Sequence, residues 1–215
     1  MITVSKLIPL SFLSIGIILL MQVILPVVSF HIWMAGQKFN NDILLISPNS
    51  SKSKQVLGVS IENKNNFPAF VSELGRATGS NYEQFRLSIP KLKISDANVL
   101  VDSNELTRGL IHLPGSALPG EKGNVFISGH SALSPLFIFK QALFANLKDL
   151  KKDDEIVLEA SGAKFKYKVS ELKVVDPKDL SVINPPDAYG RYISLMTCVP
   201  PGLNYKRLVV LGKMI

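Results

Sequence analysis

Residues 7–28 carry no charged side chain, and the next ionisable group after Lys6 is His31. A helix of about 22 residues rises roughly 33 Å, enough to cross a hydrocarbon core of about 30 Å. A cleaved secretory signal has an apolar region of about 7–15 residues and a small-residue cleavage site. This run is longer, and Ser29-Phe30-His31-Ile32-Trp33 is a poor cleavage site. An uncleaved membrane anchor over residues 1–35 is therefore expected. Pro9 and Pro26 are expected near the helix ends, where proline is tolerated. Trp33 suits an interfacial belt. Lys6 and the amino terminus bias the near flank toward the cytoplasm, which places the rest of the chain outside it.

The remainder has the means to form a core. Apolar residues make up 47% of the 215-residue chain and charged ones 19%, which excludes wholesale disorder. The net charge is +7. Its lysines and arginines are spread singly or in pairs such as Lys151-Lys152, with no long run and no aromatic interleaving. That fits an anionic membrane or cell-wall surface better than a nucleic acid. One cysteine cannot form an intrachain disulfide, and a zinc site needs more Cys or His than this chain clusters.

Residues 36–84 read as a polar stalk and a short helical lead-in. They include Ser47-Pro48-Asn49-Ser50-Ser51-Lys52-Ser53-Lys54. Asn66 is placed to cap a short helix over 68–74, ended by Gly75, and a further turn is expected over 81–85. From Phe85 the texture changes to short strands divided by turn signals: 86–89, 91–94, 97–101, 124–128, 155–159, 164–169, 172–175, 192–197 and 207–214. Ser161-Gly162 marks a hairpin, and 176–186 a Pro-rich loop. Residues 134–150 suit a helix packed on the sheet through Leu136, Phe137, Phe139, Leu143, Phe144, Leu147 and Leu150. About eight short strands with little helix predict a mainly β domain, a closed or nearly closed barrel over 85–215.

The chemistry gathers at strand ends. Cys198 ends an apolar strand and precedes Val199-Pro200-Pro201-Gly202, an accessible place for a thiol. His130 ends the strand Val125-Phe126-Ile127-Ser128-Gly129-His130. Arg207 opens the strand that continues Leu208-Val209-Val210. Each has a bland reading: core filler, satisfied polar residue, surface ion-pair partner. Together they supply a nucleophile, a proton carrier and a clamp for an oxyanion or carbonyl, the parts of acyl transfer through a thioester. No Asp or Asn stands out as an orienter of His130, so a papain-like triad is poorly supported. A Cys–His pair helped by a permanently charged Arg remains.

These residues resemble the sortases, membrane-anchored cysteine transpeptidases of bacterial surfaces. The resemblance runs over about 87–214. It includes Ile89-Pro90-Lys91, then His112-Leu113-Pro114-Gly115-Ser116-Ala117-Leu118-Pro119-Gly120-Glu121-Lys122-Gly123-Asn124, then Ser128-Gly129-His130. It continues through Phe144-Ala145-Asn146-Leu147 and Tyr167-Lys168-Val169 to Leu195-Met196-Thr197-Cys198 and Arg207-Leu208-Val209-Val210. It implies the eight-stranded sortase barrel with short helices. Cys198 would be the nucleophile, His130 the general acid, Arg207 the oxyanion or substrate stabiliser, and Thr197 a contact for the sorting peptide. It implies cleavage of an LPXTG-like sorting signal after Thr and transfer to an amine of a cell-wall precursor or a pilin lysine. The partners would be surface proteins or pilins with a C-terminal sorting signal, at the cell membrane. No cofactor is expected, and no acidic cluster for calcium is evident. The loop from Cys198 to Arg207 resembles pilin-polymerising members, yet no Asp-Pro-aromatic segment precedes the barrel, so the subclass stays open. The alternative is a membrane-tethered β-barrel binding module, or a member without turnover.

Overall fold

The computed structural model describes residues 4–40, 43–44, 59–64, 67–72, 80–106, 109–132, 142–203 and 205–215. It divides into two units, Met1–Asn41 and Asp42–Ile215. The first is helix α1 (Val4–Asn40), in which Pro9–Gly36 is long and apolar enough to cross a membrane. The helix outruns the apolar run read from the sequence, so Pro26 lies in its interior. Proline there forfeits one backbone hydrogen bond, a loss that membrane-spanning helices tolerate.

The second unit begins with β1 (Ile43–Leu44), β2 (Val59–Lys64) and β3 (Phe67–Ser72). The helix expected over 68–74 is instead a strand as far as Ser72; β2 and β3 form an antiparallel pair from Val59↔Ser72 to Lys64↔Phe67. Aromatic and β-branched residues favour the strand, and Pro68 is admissible because a two-stranded sheet has only edges.

Eight strands then close the barrel. They are β4 (Gln84–Ile89), β5 (Ile94–Leu100), β6 (Leu110–His112), β7 (Gly123–Ser128), β8 (Glu155–Ala160), β9 (Ala163–Val175), β10 (Arg191–Val199) and β11 (Lys206–Met214). Around the barrel the order is β9-β11-β10-β7-β6-β5-β4-β8, and the β8–β9 pairing returns to the start. Both β7–β10 and β5–β6 are parallel; the other barrel pairs are antiparallel. The stretch expected as a strand over 91–94 is mostly a 3-10 turn at Pro90–Leu92, closed by Lys93 in the left-handed region at φ 56°. Ser161 (φ 49°) and Gly162 (φ 79°) make the expected β8–β9 hairpin, with the two positive φ values of a type I′ turn. Of the helix expected over 134–150, residues 133–141 lie outside the described residues. Residues 142–150 form turns and one 3-10 segment, Leu147–Asp149.

Alternation sorts the core. Val125, Ile127, Ile193, Leu195, Leu208 and Val210 share one face across β7, β10 and β11 and are fully buried. The opposite face carries Phe126, Met196 and Val209, which pack with Leu113, Val175 and Leu180, and against Val182 and Ile183. Strand β10 is thus buried on both faces, because the segment after β9 lies over its outer side.

Candidate active site

Strand β10 runs between a parallel neighbour, β7, and an antiparallel one, β11. The last registered pair with β7 is Met196↔Ser128, so Cys198 and His130 each lie two residues past it at the same end of the barrel. On the other side Cys198 is directly opposite Arg207. Residues opposite one another in an antiparallel pair project from the same face with Cβ atoms about 4.5–5.5 Å apart. Three adjacent strands therefore bring the three expected residues together. Cys198 is free and partly exposed. Arg207 is only 2% exposed. It sits between Cys198 on β10 and Val175 on β9, and its Nη1 donates to the Lys206 carbonyl at 3.2 Å.

Backbone bonds fix the approach to His130. The Gly129 N–H donates to the Met196 carbonyl at 3.1 Å. The Thr197 hydroxyl, 3% exposed, donates to the Gly129 carbonyl at 2.9 Å. The residue before Cys198 is thus tied to the residue before His130. The Phe144 N–H donates to the His130 carbonyl at 3.3 Å. A side chain at position 129 is excluded, since its Cβ would lie 2.5 Å from Leu110 and 2.7 Å from Phe144, both buried. The His130 ring bonds the backbone of Leu106. A backbone partner of this kind has no residue-type signature in the sequence.

Burial sets the charge states. It holds the His130 ring below its ordinary value, against the opposing effect of the Leu106 carbonyl. It pushes the Cys198 thiol up, and the Arg207 guanidinium offsets only part of that rise. Burial likewise works against the charge on Arg207, while a Cys198 thiolate favours it. At neutral pH the resting pair is therefore thiol and neutral imidazole. Alkylation of Cys198 by iodoacetamide is accordingly expected to be slow at pH 7 and to rise with a midpoint above the ordinary thiol value of about 8.5. Rates already on a plateau below pH 7 would instead mean a preformed ion pair.

The face that carries Cys198 also carries an apolar floor. Cys198 and Met196 have the same parity along β10, as do Arg207 and Val209 along β11. Met196 and Val209 belong to the cluster with Leu113, Phe126, Val175 and Leu180. Asn124 fastens the covering segment to the wall: its Nδ2 donates to the Ile183 carbonyl at 3.0 Å, the Val182 carbonyl at 3.4 Å and Ser194 Oγ at 3.0 Å. Nothing in the sequence beyond an Asn inside an apolar strand signalled that role. Among the described residues no group of three or more His, Cys, Asp or Glu side chains is placed to hold a metal ion.

The Sortase domain family model matches residues 87–215, which contain every residue of this site. Sortase D of Bacillus subtilis (strain 168) is 30% identical over 158 residues, 72% of each chain. The crystal structure of sortase C-1 from Actinomyces oris superposes with a TM-score of 0.55 at 30% identity, over 61% of this chain and 73% of that one. A lid mutant of sortase A from Corynebacterium diphtheriae gives 0.55 at 28% identity, over 88% of this chain and 95% of that one. Matched barrel, matched segment and a lone thiol between a histidine strand and an arginine strand agree: the chain belongs to the sortase family of cysteine transpeptidases.

Proposed function

We propose that this enzyme cleaves an LPXTG-like sorting signal after Thr and transfers the acyl chain to an amine of a cell-wall precursor or a pilin lysine. The observation that carries the reading is the placement of Cys198 between His130 and Arg207 on adjacent strands. The thiolate attacks the Thr carbonyl carbon, forming the C–S bond. The Arg207 guanidinium holds the oxyanion. The His130 imidazolium gives its proton to the departing amine as the C–N bond breaks. A neutral amine then attacks the thioester, His130 takes its proton, the C–S bond breaks and the thiolate returns. The apolar floor beside Cys198 supports an extended donor with apolar residues before the scissile bond. Thr197, a peptide contact by family resemblance, has its hydroxyl committed to Gly129; its part in binding is to hold the backbone that receives the peptide.

The test is to incubate the barrel domain with sorting peptides and a slow amine, then search by mass spectrometry for an acyl adduct on Cys198. An adduct is expected with the parent and none with Cys198→Ala. No adduct across a broad peptide panel would favour a binding module.

The apolar helix Pro9–Gly36 and the Lys6 flank support a single-pass anchor with the amino terminus cytoplasmic and the barrel outside. Protease added to intact spheroplasts is then expected to degrade the barrel; protection would reverse the orientation.

A further inference from the structure

The segment 176–190, between β9 and β10, is held at both ends and in the middle. At its start Lys206 Nζ donates to Asp176 Oδ2 at 3.1 Å. Both side chains are nearly half exposed, and such a pair contributes little. At its end the Asp187 carboxylate accepts from the backbone N–H groups of Tyr189 at 2.9 Å and Gly190 at 2.6 Å, and from the Tyr192 hydroxyl. The middle is a 3-10 turn, Leu180–Ile183, with the Asp179 side chain accepting from the Ser181 N–H at its start. Leu180 is buried in the cluster with Met196 and Val209, and Val182 and Ile183 pack against it. Asn124 ties this middle part to the barrel wall.

Asn124 stands beside Tyr192 in the parallel β7–β10 pair, on the face that alternation gives to Ser194, Met196 and Cys198. It is 3% exposed. The Ile183 and Val182 carbonyls, 3.0 and 3.4 Å away, can only accept, so the amide nitrogen must face them. The same nitrogen lies 3.0 Å from Ser194 Oγ. Oδ1 is buried without a partner among the described residues. An unpaired buried acceptor offsets much of what the donated bonds contribute, so this amide is a poor device for stabilising a core strand. What it achieves is to fix where two backbone carbonyls stand. We propose that Asn124 is a positioning residue for the donor peptide: it holds Val182 and Ile183 against the floor beside Met196, so that the apolar wall along the approach to Cys198 stands before the peptide arrives. A wall already in place spares the peptide the cost of ordering it. This rests on the reading of the enzyme as one that takes a sorting peptide. Ser194, which Asn124 touches, lies four residues before Cys198 on β10, about 13 Å along an extended strand. Asn124 therefore acts on binding and not on the reacting atoms.

Asn124→Leu in the full-length enzyme in detergent tests this. Leucine is of similar size, suits a central strand, and removes both the donor and the unpaired acceptor. A merely structural asparagine would be replaced without functional loss. A positioning one should show a sorting-peptide KM raised about tenfold with kcat within about twofold, the pattern of lost ground-state binding. Amide hydrogen exchange over 176–190 should quicken at least about tenfold, while β7 and β10 keep their protection. The melting temperature should stay within a few degrees of the parent. Alkylation of Cys198 by iodoacetamide should keep its parental rate, because the thiol is untouched. If Asn124→Leu does not fold, Asn124→Asp takes its place, since it keeps the size and turns the donor into an acceptor facing two carbonyls. A folded variant with parental KM would overturn the proposal, as would a loss confined to kcat or unchanged exchange over 176–190. Failure of the reading beneath it would look different: the parent itself would turn over no sorting peptide, which would remove this role whatever the exchange showed.

Discussion

Cys198→Ala is expected to abolish turnover while leaving the barrel folded and the peptide bound. The loss should be on the order of 10⁶ in kcat, the scale found when a covalent nucleophile is removed from a hydrolase, which places it below the floor of a peptide-cleavage assay. Arg207 cannot substitute, because its guanidinium stays protonated and offers a carbonyl no lone pair. Cys198 is the only cysteine, so no second thiol can rescue the reaction. Stability should change little. The side chain is partly exposed, the substitution removes one sulfur atom, and alanine suits a strand end. A melting temperature within a few degrees of the parent, and a peptide Kd within a few-fold, are the expected measurements. Residual turnover well above the uncatalysed rate would require a mechanism without a thioester, with water activated at His130.

Much of this site was legible because strand ends are legible. Period-two alternation stops where a chain leaves a sheet, and Cys198, His130 and Arg207 each stand at such a stop. The β8–β9 hairpin could be read for the same reason, with Ser161-Gly162 between alternating runs. What alternation cannot report is the bond between strands distant in sequence. Strand β6 is three residues long, too short to show a period, and the sequence reading does not contain it. The polar pair Ser170-Glu171 divided β9 into two expected strands. The chain instead runs on through Ala163–Val175, with Ser170 as the extra residue of a bulge in β9, where Glu171 and Val169 face the consecutive Leu211 and Gly212. Residues 68–74 suggest a helix because Asn66 and Pro68 resemble a helix start, whereas pairing with β2 decides the outcome as far as Ser72. Arg207 was found by type and order, but its depth was not, since the cover over β10 comes from a loop whose path the sequence does not state.

That depth decides what Arg207→Lys should do. Coulomb attraction alone would let lysine replace arginine at an exposed rim. At a site only 2% exposed two differences count. The guanidinium offers a planar fork of five donors and stays charged under all working conditions, whereas the ammonium is a compact and strongly hydrated charge that shifts its pKa readily when buried. A buried lysine opposite Cys198 therefore tends toward the neutral amine and ceases to favour the thiolate, while its shorter reach misplaces the donor proposed for the oxyanion. Removing one oxyanion donor costs about 10²–10³ in rate, or roughly 2.7–4 kcal/mol of transition-state stabilisation. Arg207→Lys is thus expected to lose at least about 10²-fold in kcat/KM, mostly in kcat. The same burial predicts a measurable loss of stability, seen as a melting temperature lower by several degrees, in place of the near-neutral exchange of a surface position. Iodoacetamide should also report the change, with the Cys198 alkylation midpoint moving further upward because the opposing charge is gone. Near-parental kcat/KM in a folded Arg207→Lys variant would remove directed hydrogen bonding from the role of Arg207 and leave charge alone. An unchanged alkylation profile with low activity would separate the oxyanion contact from any effect on the thiol.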